Sequence, residues 1–200
     1  MTSSNSRGFS LLELLITMAI ALTAAGITAM AFVPVMNQQQ TIDAYNMTMT
    51  ALRRAHDQAQ NDMRIYVVSF AAPGTITVTQ TTTAGPVLFT SVLPSSVTFH
   101  IEPGIPTSPT VSPTTPDGFG SAAFPIDFDQ GVPPGGATVV QFNPDGTATD
   151  AAGNINNGVV YMGQVGYLTR QRAITLWGAT GRIRGWRLYQ NGAVYSWSEQ

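Results

Sequence analysis

The 200-residue chain predicts an α+β protein, a long N-terminal membrane-spanning helix packed on an antiparallel β-sheet C-terminal domain, and three features carry that reading. Leu14 to Met36 is a run of 23 residues without an ionisable side chain; about 20 suffice to cross a bilayer. Apolar positions then recur at helical spacing as far as Met63. Beyond them come short runs rich in β-branched and aromatic residues, broken by Gly and Pro.

The first element covers residues 9–36 and reads as a transmembrane helix. A secretory signal peptide has a basic leader, an apolar core of about 7–15 residues and a small-x-small cleavage site. Here Arg7 is the only basic residue before the run, and the run is too long, so cleavage after Ala31 is the poorer reading. The segment is also apolar on every face and lacks the stripe of a soluble surface helix. Glu13 is its one charge. A carboxylate at the centre of a span costs about 2.5–3.5 kcal/mol and calls for a partner; nearer the interface it suits the positive end of the helix dipole. The single arginine of the polar leader favours a cytoplasmic leader, so the remainder faces outward. Pro34 is expected to kink the helix rather than end it.

Arg7-Gly8-Phe9-Ser10-Leu11-Leu12-Glu13 resembles the processing site of type IV pilins and type II secretion pseudopilins. The resemblance implies that a prepilin peptidase cuts after Gly8 and methylates the new N-terminus at Phe9. It also implies that Glu13, fifth in the mature chain, meets the N-terminal amine of a neighbouring subunit and sets the register of a filament. A charge-assisted contact of that kind in low dielectric is strong when made and costly when missing. The implied partners are other pilin or pseudopilin subunits, the peptidase and the inner membrane. The implied location is a single-pass inner-membrane protein that passes into a periplasmic or extracellular filament.

Residues 37–64 form an amphipathic helix by pattern: Ile42, Tyr45, Met49, Leu52, His56, Ala59 and Met63 share one face. On that seam His56 reads as a packed histidine rather than a ligand, and Arg53 and Arg54 as solvated. The region 65–200 is β-rich. Strands are expected at Ile65–Phe70, Thr75–Gln80, Val87–Thr90, Val97–Ile101, Thr138–Phe142, Val159–Met162, Ala173–Trp177, Arg182–Tyr189 and Ala193–Trp197. Between Pro103 and Gly136, 8 prolines and 6 glycines in 34 residues argue against a central strand. This insertion, 103–136, reads as an exposed loop whose Thr107, Ser108, Thr110, Ser112, Thr114 and Thr115 suit O-glycosylation by composition. Asp127, Asp129 and Gly131 lack the spacing of a complete calcium loop, and no metal or cofactor is expected. With two histidines, no cysteine and no nucleophile motif, the chain is not read as an enzyme.

Charge is unevenly spread. Ile65 to Thr169 holds six acids and no arginine, whereas Arg170 to Ser198 holds five arginines, all three tryptophans and no acid. The stretches Gln141 to Thr147, Gly158 to Tyr161, Arg172 to Leu176 and Thr180 to Arg184 are similar to the GspH/FimT class of minor pilins and pseudopilins. In the members of that class that act in DNA uptake, a G-R-x-R motif is implicated in binding DNA, and Gly181, Arg182 and Arg184 match it. Arg187 lies on the same strand, and arginine with interleaved aromatics suits a nucleic-acid strand. The competing reading makes the aromatics core. An Asn191-Gly192 turn would pair Trp186 with Trp197 and Leu188 with Tyr195, putting those four side chains on one buried face. Strict alternation would add Arg182 and Arg184 to that face, so a bulge at Gly185 is expected to return them to solvent beside Arg187. Three functions stay open: a minor pilin or pseudopilin subunit, a DNA-binding minor pilin using these arginines, and a major pilin.

Overall fold

The computed structural model describes residues 10–107, 117–128 and 136–200. The leader with Gly8 and Phe9, the glycosylation candidates from Ser108 to Thr115, and Asp129 and Gly131 lie outside those residues. The chain divides into two compact units, Met1–Gln38 and Gln39–Gln200, and the helix α1 (Leu11–Asp62) has residues in both.

In the first unit, α1 starts from Ser10, whose hydroxyl oxygen accepts the Leu12 N–H at 3.3 Å and whose carbonyl accepts the Leu14 N–H at 3.1 Å. That side chain satisfies a donor every helix start leaves orphaned. Thr17, Thr23 and Thr28 return their hydroxyls to helix carbonyls one turn back at 2.8–3.1 Å, so the apolar stretch carries no unsatisfied side-chain donor at these positions. Leu11–Thr28 is long and apolar enough to cross a membrane. Its leucines and isoleucines face outward, Leu11 at 83% exposure and Ile27 at 73%, as a lipid-facing helix requires. The helix continues through Pro34.

In the second unit, two antiparallel sheets of five strands take the place of the single sheet expected. The first has the order β3-β2-β1-β5-β6, formed by Val87–Val92, Thr75–Gln80, Tyr66–Ala71, Val139–Phe142 and Ala148–Thr149. The second has the order β10-β9-β8-β7-β4, formed by Val194–Glu199, Arg182–Asn191, Arg172–Trp177, Gly158–Met162 and Ile126–Asp127. The domain part of α1 packs on both. Ala44, Tyr45, Met49, Ala51, Leu52, Ala55 and Ala59 share one core with Phe70, Ile76, Val78 and Val140 of the first sheet and Val160, Met162, Ile174 and Leu176 of the second. Contact with two sheets explains why the buried seam is wider than the predicted stripe, taking in Thr41 and Thr48 as well. Met63 is not part of it: α1 stops at Asp62, and Met63 takes φ 53° and is 75% exposed.

Three expectations are corrected here. Val97–Ile101 is not a strand; Thr98 makes one isolated bridge to Gly163, while Val97 and Phe99 plug the main core. The insertion is not an exposed loop in its described parts: Ile126 and Asp127 form the edge strand β4, and Ile105 and Phe128 are buried. Proline is tolerated beside an edge strand because no second ladder needs its missing N–H. Finally, the β9–β10 turn is Gly192-Ala193, with Asn191 paired to Val194 and Leu188 to Trp197. The register is therefore two residues from the one expected, and a shift of two leaves Trp186, Leu188, Tyr195 and Trp197 together on one face.

Candidate functional site

Two regions were singled out by sequence, and the structure treats them differently. At the N-terminus, Glu13 stands three residues after the cap Ser10, in the first turn of α1. Its charge there complements the unpaired N–H groups and the positive end of the helix dipole.

The arginine motif lies at the start of β9, and Gly181 is there for backbone reasons. It has φ +61°, and a Cβ on it would sit 2.3 Å from the Gly146 carbonyl and 2.6 Å from the His56 ring. His56 is the packed histidine expected, edge-on to Phe142 at 5.5 Å with Nε2 3.2 Å from the Gly146 carbonyl. The bulge expected at Gly185 is absent. The β8–β9 ladder is regular from Arg172↔Arg187 to Trp177↔Arg182, and Gly185 faces Tyr45 of α1. Arg182 and Arg184 consequently share the Trp186 face, and Arg187 the opposite one.

What makes that arrangement tolerable is Asp117, from the Pro-rich insertion. Its Oδ2 receives Arg182 Nη2 at 2.7 Å and Arg184 Nη1 at 3.2 Å, and its Oδ1 receives the Thr175 hydroxyl at 3.2 Å. Thr175 in turn accepts the Trp186 indole N–H at 2.9 Å. Arg184 also reaches Glu199 at 3.3 Å, and Arg182 lies over the Trp177 ring at 5.0 Å. Both arginines are half-buried and already neutralised, so the solvent-facing cluster expected of Arg182, Arg184 and Arg187 is not formed. A phosphate reaching either arginine would first have to displace a charge-assisted carboxylate contact.

The aromatic face is core, as the competing reading held. Trp197 stacks on Phe119 at 5.3 Å, Trp186 meets the same ring edge-on at 5.2 Å, and Leu188 is buried beside Tyr161 and Ile105. Neither Asp117 nor Phe119 was singled out by the sequence, since a proline-rich stretch carries no periodicity from which a buried face can be read. The described residues include no cluster of three or more His, Asp or Glu placed to hold a metal.

Against known proteins, residues 3–29 match the family described as the prokaryotic N-terminal methylation motif. No curated protein matches the chain. A solved structure, the type IV minor pilin FimU of Pseudomonas aeruginosa, is similar over 82% of this chain and 94% of its own, at 13% identity and a TM-score of 0.41. The family match is confined to the N-terminal segment, the residues before α1 and the first part of that helix. The apolar stretch of α1 lies within the matched residues, and behind it the chain carries an α+β domain of antiparallel sheets.

Proposed function

We propose that the chain is a structural subunit, of the minor pilin or pseudopilin kind, of a type IV filament or a type II secretion pseudopilus. The observation that carries this reading is the N-terminal methylation motif leading directly into a capped helix start, with Glu13 in its first turn and an exposed apolar stretch behind it. On this reading prepilin peptidase cuts after Gly8, Phe9 becomes the methylated N-terminus, and Glu13 neutralises the Phe9 amine of a neighbouring subunit. The helix holds the subunit in the inner membrane until assembly carries the domain into a periplasmic or extracellular filament. Capture of DNA through Arg182 and Arg184 is the weaker reading, because Asp117 and Glu199 already occupy both side chains.

Mass spectrometry of the mature protein tests the processing step: the chain is expected to begin at Phe9 with a methylated amine. A start at Phe32 would make the apolar run an ordinary signal peptide and end the filament reading. Glu13→Ala is expected to insert and be cleaved normally yet fail to enter filaments, and normal incorporation would remove the register role.

A further inference from the structure

On the helix side of the second sheet, the ladder sets Arg172 of β8 directly opposite Arg187 of β9. Like charges in that position repel. Arg172 is only 2% exposed, and its Nε and that of Arg187 are both buried without a hydrogen-bond partner. Arg172 gives one Nη1 N–H to the adjacent Gln171 carbonyl at 3.2 Å, and Arg187 lies over the Tyr189 ring at 4.9 Å. Among the described residues no carboxylate pairs with either, in contrast to the Asp117-bound arginines of the other face. Burial, reinforced by the Arg187 charge, pushes the Arg172 pKa down to about 10, which still leaves it cationic at neutral pH. Two cations, one buried and one partly so, are thus held together with no carboxylate among the described residues to balance them.

Near the start of β9 the imbalance is reversed. Asp145, exposed, lies in the loop between β5 and β6, and Asp150, partly exposed, directly follows β6; the β5–β6 loop adjoins the β8–β9 turn through Gly146 against Gly181. Asp145 accepts the Thr147 N–H and hydroxyl at 2.9 and 2.7 Å. Asp150 accepts the Asn154 side-chain amide at 2.9 Å and the Asn154 and Ala152 backbone N–H groups, each at 2.8 Å. These bonds hold both carboxyls below the usual carboxylate range, so both are charged. Among the described residues neither is paired with an arginine. From Gly181 to Arg187 is six residues of strand, roughly 20 Å at about 3.3 Å per residue.

We propose that Arg187, backed by Arg172, receives the Asp145 and Asp150 carboxylates, on either side of β6, of a second copy of this chain. The two patches are separate surfaces of one subunit, so the contact passes from copy to copy; run head-to-tail and left open, its repetition builds a filament. This rests on the filament reading above and names the domain surfaces that would meet in it.

The chain has no cysteine, so single cysteines report unambiguously. Full-length copies carrying Tyr189→Cys are co-assembled in membranes with differently tagged copies carrying Ala151→Cys and then oxidised. A 189–151 disulfide is expected, well above the yield of a 189–50 pair made with Thr50→Cys. Arg187→Glu is expected to cut that yield about tenfold, equivalent to about 1.4 kcal/mol, and Asp145→Arg with Asp150→Arg in the partner copy to restore it. Ile20→Cys copies, cross-linked in parallel, report packing of the spans. Span cross-links without the 189–151 product overturn this contact alone; absence of both overturns the filament reading and the contact with it. Duplex DNA binding lost on Arg187→Glu, with cross-linking unchanged, would reassign the pair to phosphate and overturn the proposal.

Discussion

Tyr45 and Gly185 meet across most of the chain, and the meeting dictates both residues. A Cβ on Gly185 would lie 1.7 Å from the Tyr45 hydroxyl oxygen, with ring carbons Cζ and Cε2 at 2.5 and 2.6 Å. Glycine inside a strand marks a bulge or a close approach, and here it is the close approach. Gly185→Ala is therefore expected to lower stability by about 1–3 kcal/mol as an overpacking change, seen as a lower denaturant midpoint with the slope unchanged. Adding Tyr45→Phe is expected to restore little, because the ring carbons still collide. A midpoint equal to that of the parent chain would show that the Tyr45 ring moves aside freely. Gly181 belongs to the same class: its positive φ and the 2.3 Å approach of a Cβ to the Gly146 carbonyl explain the glycine of the G-R-x-R motif without any ligand.

For whole elements, the decisive feature is the alanine row of α1. Ala44, Ala51, Ala55 and Ala59 have no exposed surface, and small side chains along that seam let the helix backbone lie close to both sheets. Ala55→Leu changes helix propensity little but is expected to cost about 1–3 kcal/mol by overpacking. Thr50→Leu on the exposed face is expected to stay within about 0.5 kcal/mol. Thermal unfolding of the two variants side by side checks this, and equal Tm values would mean that propensity, not the seam, governs the helix. The β9–β10 hairpin shows the other side of element logic. Its alternation identified the buried face of Trp186, Leu188, Tyr195 and Trp197 correctly, although the turn sits at Gly192-Ala193 rather than Asn191-Gly192. Faces survive a two-residue register error and fail only on an odd one.

On the scale of the molecule, charge segregation along the sequence becomes neutralisation in space. Asp117 of the acidic stretch pairs with Arg182 and Arg184 of the basic one, and the net charge is −2. Duplex DNA binding by the full chain is accordingly expected to be undetectable at physiological salt, and Arg182→Gln/Arg184→Gln to leave that unchanged. Binding whose logarithm falls with the logarithm of salt by about 0.9 per neutralised phosphate, and which the double variant loses, would show instead that the arginines leave Asp117 for DNA.

The sequence by itself determined the features that depend on near neighbours. An uninterrupted apolar run, a capped start and a 3.6-residue period are local properties of a helix. Alternation is a local property of strands, which is why most of the β elements and the inward face of the hairpin were legible. Tertiary structure alone decided where Arg182 and Arg184 point in chemical terms. Their partner Asp117 returns from 65 and more positions away, through a proline-rich stretch whose pattern gives no face. It also decided that Arg172 and Arg187 face one another with no carboxylate partner among the described residues, because which strands become neighbours, and in what register, follows from burial of the whole core and not from any segment within it.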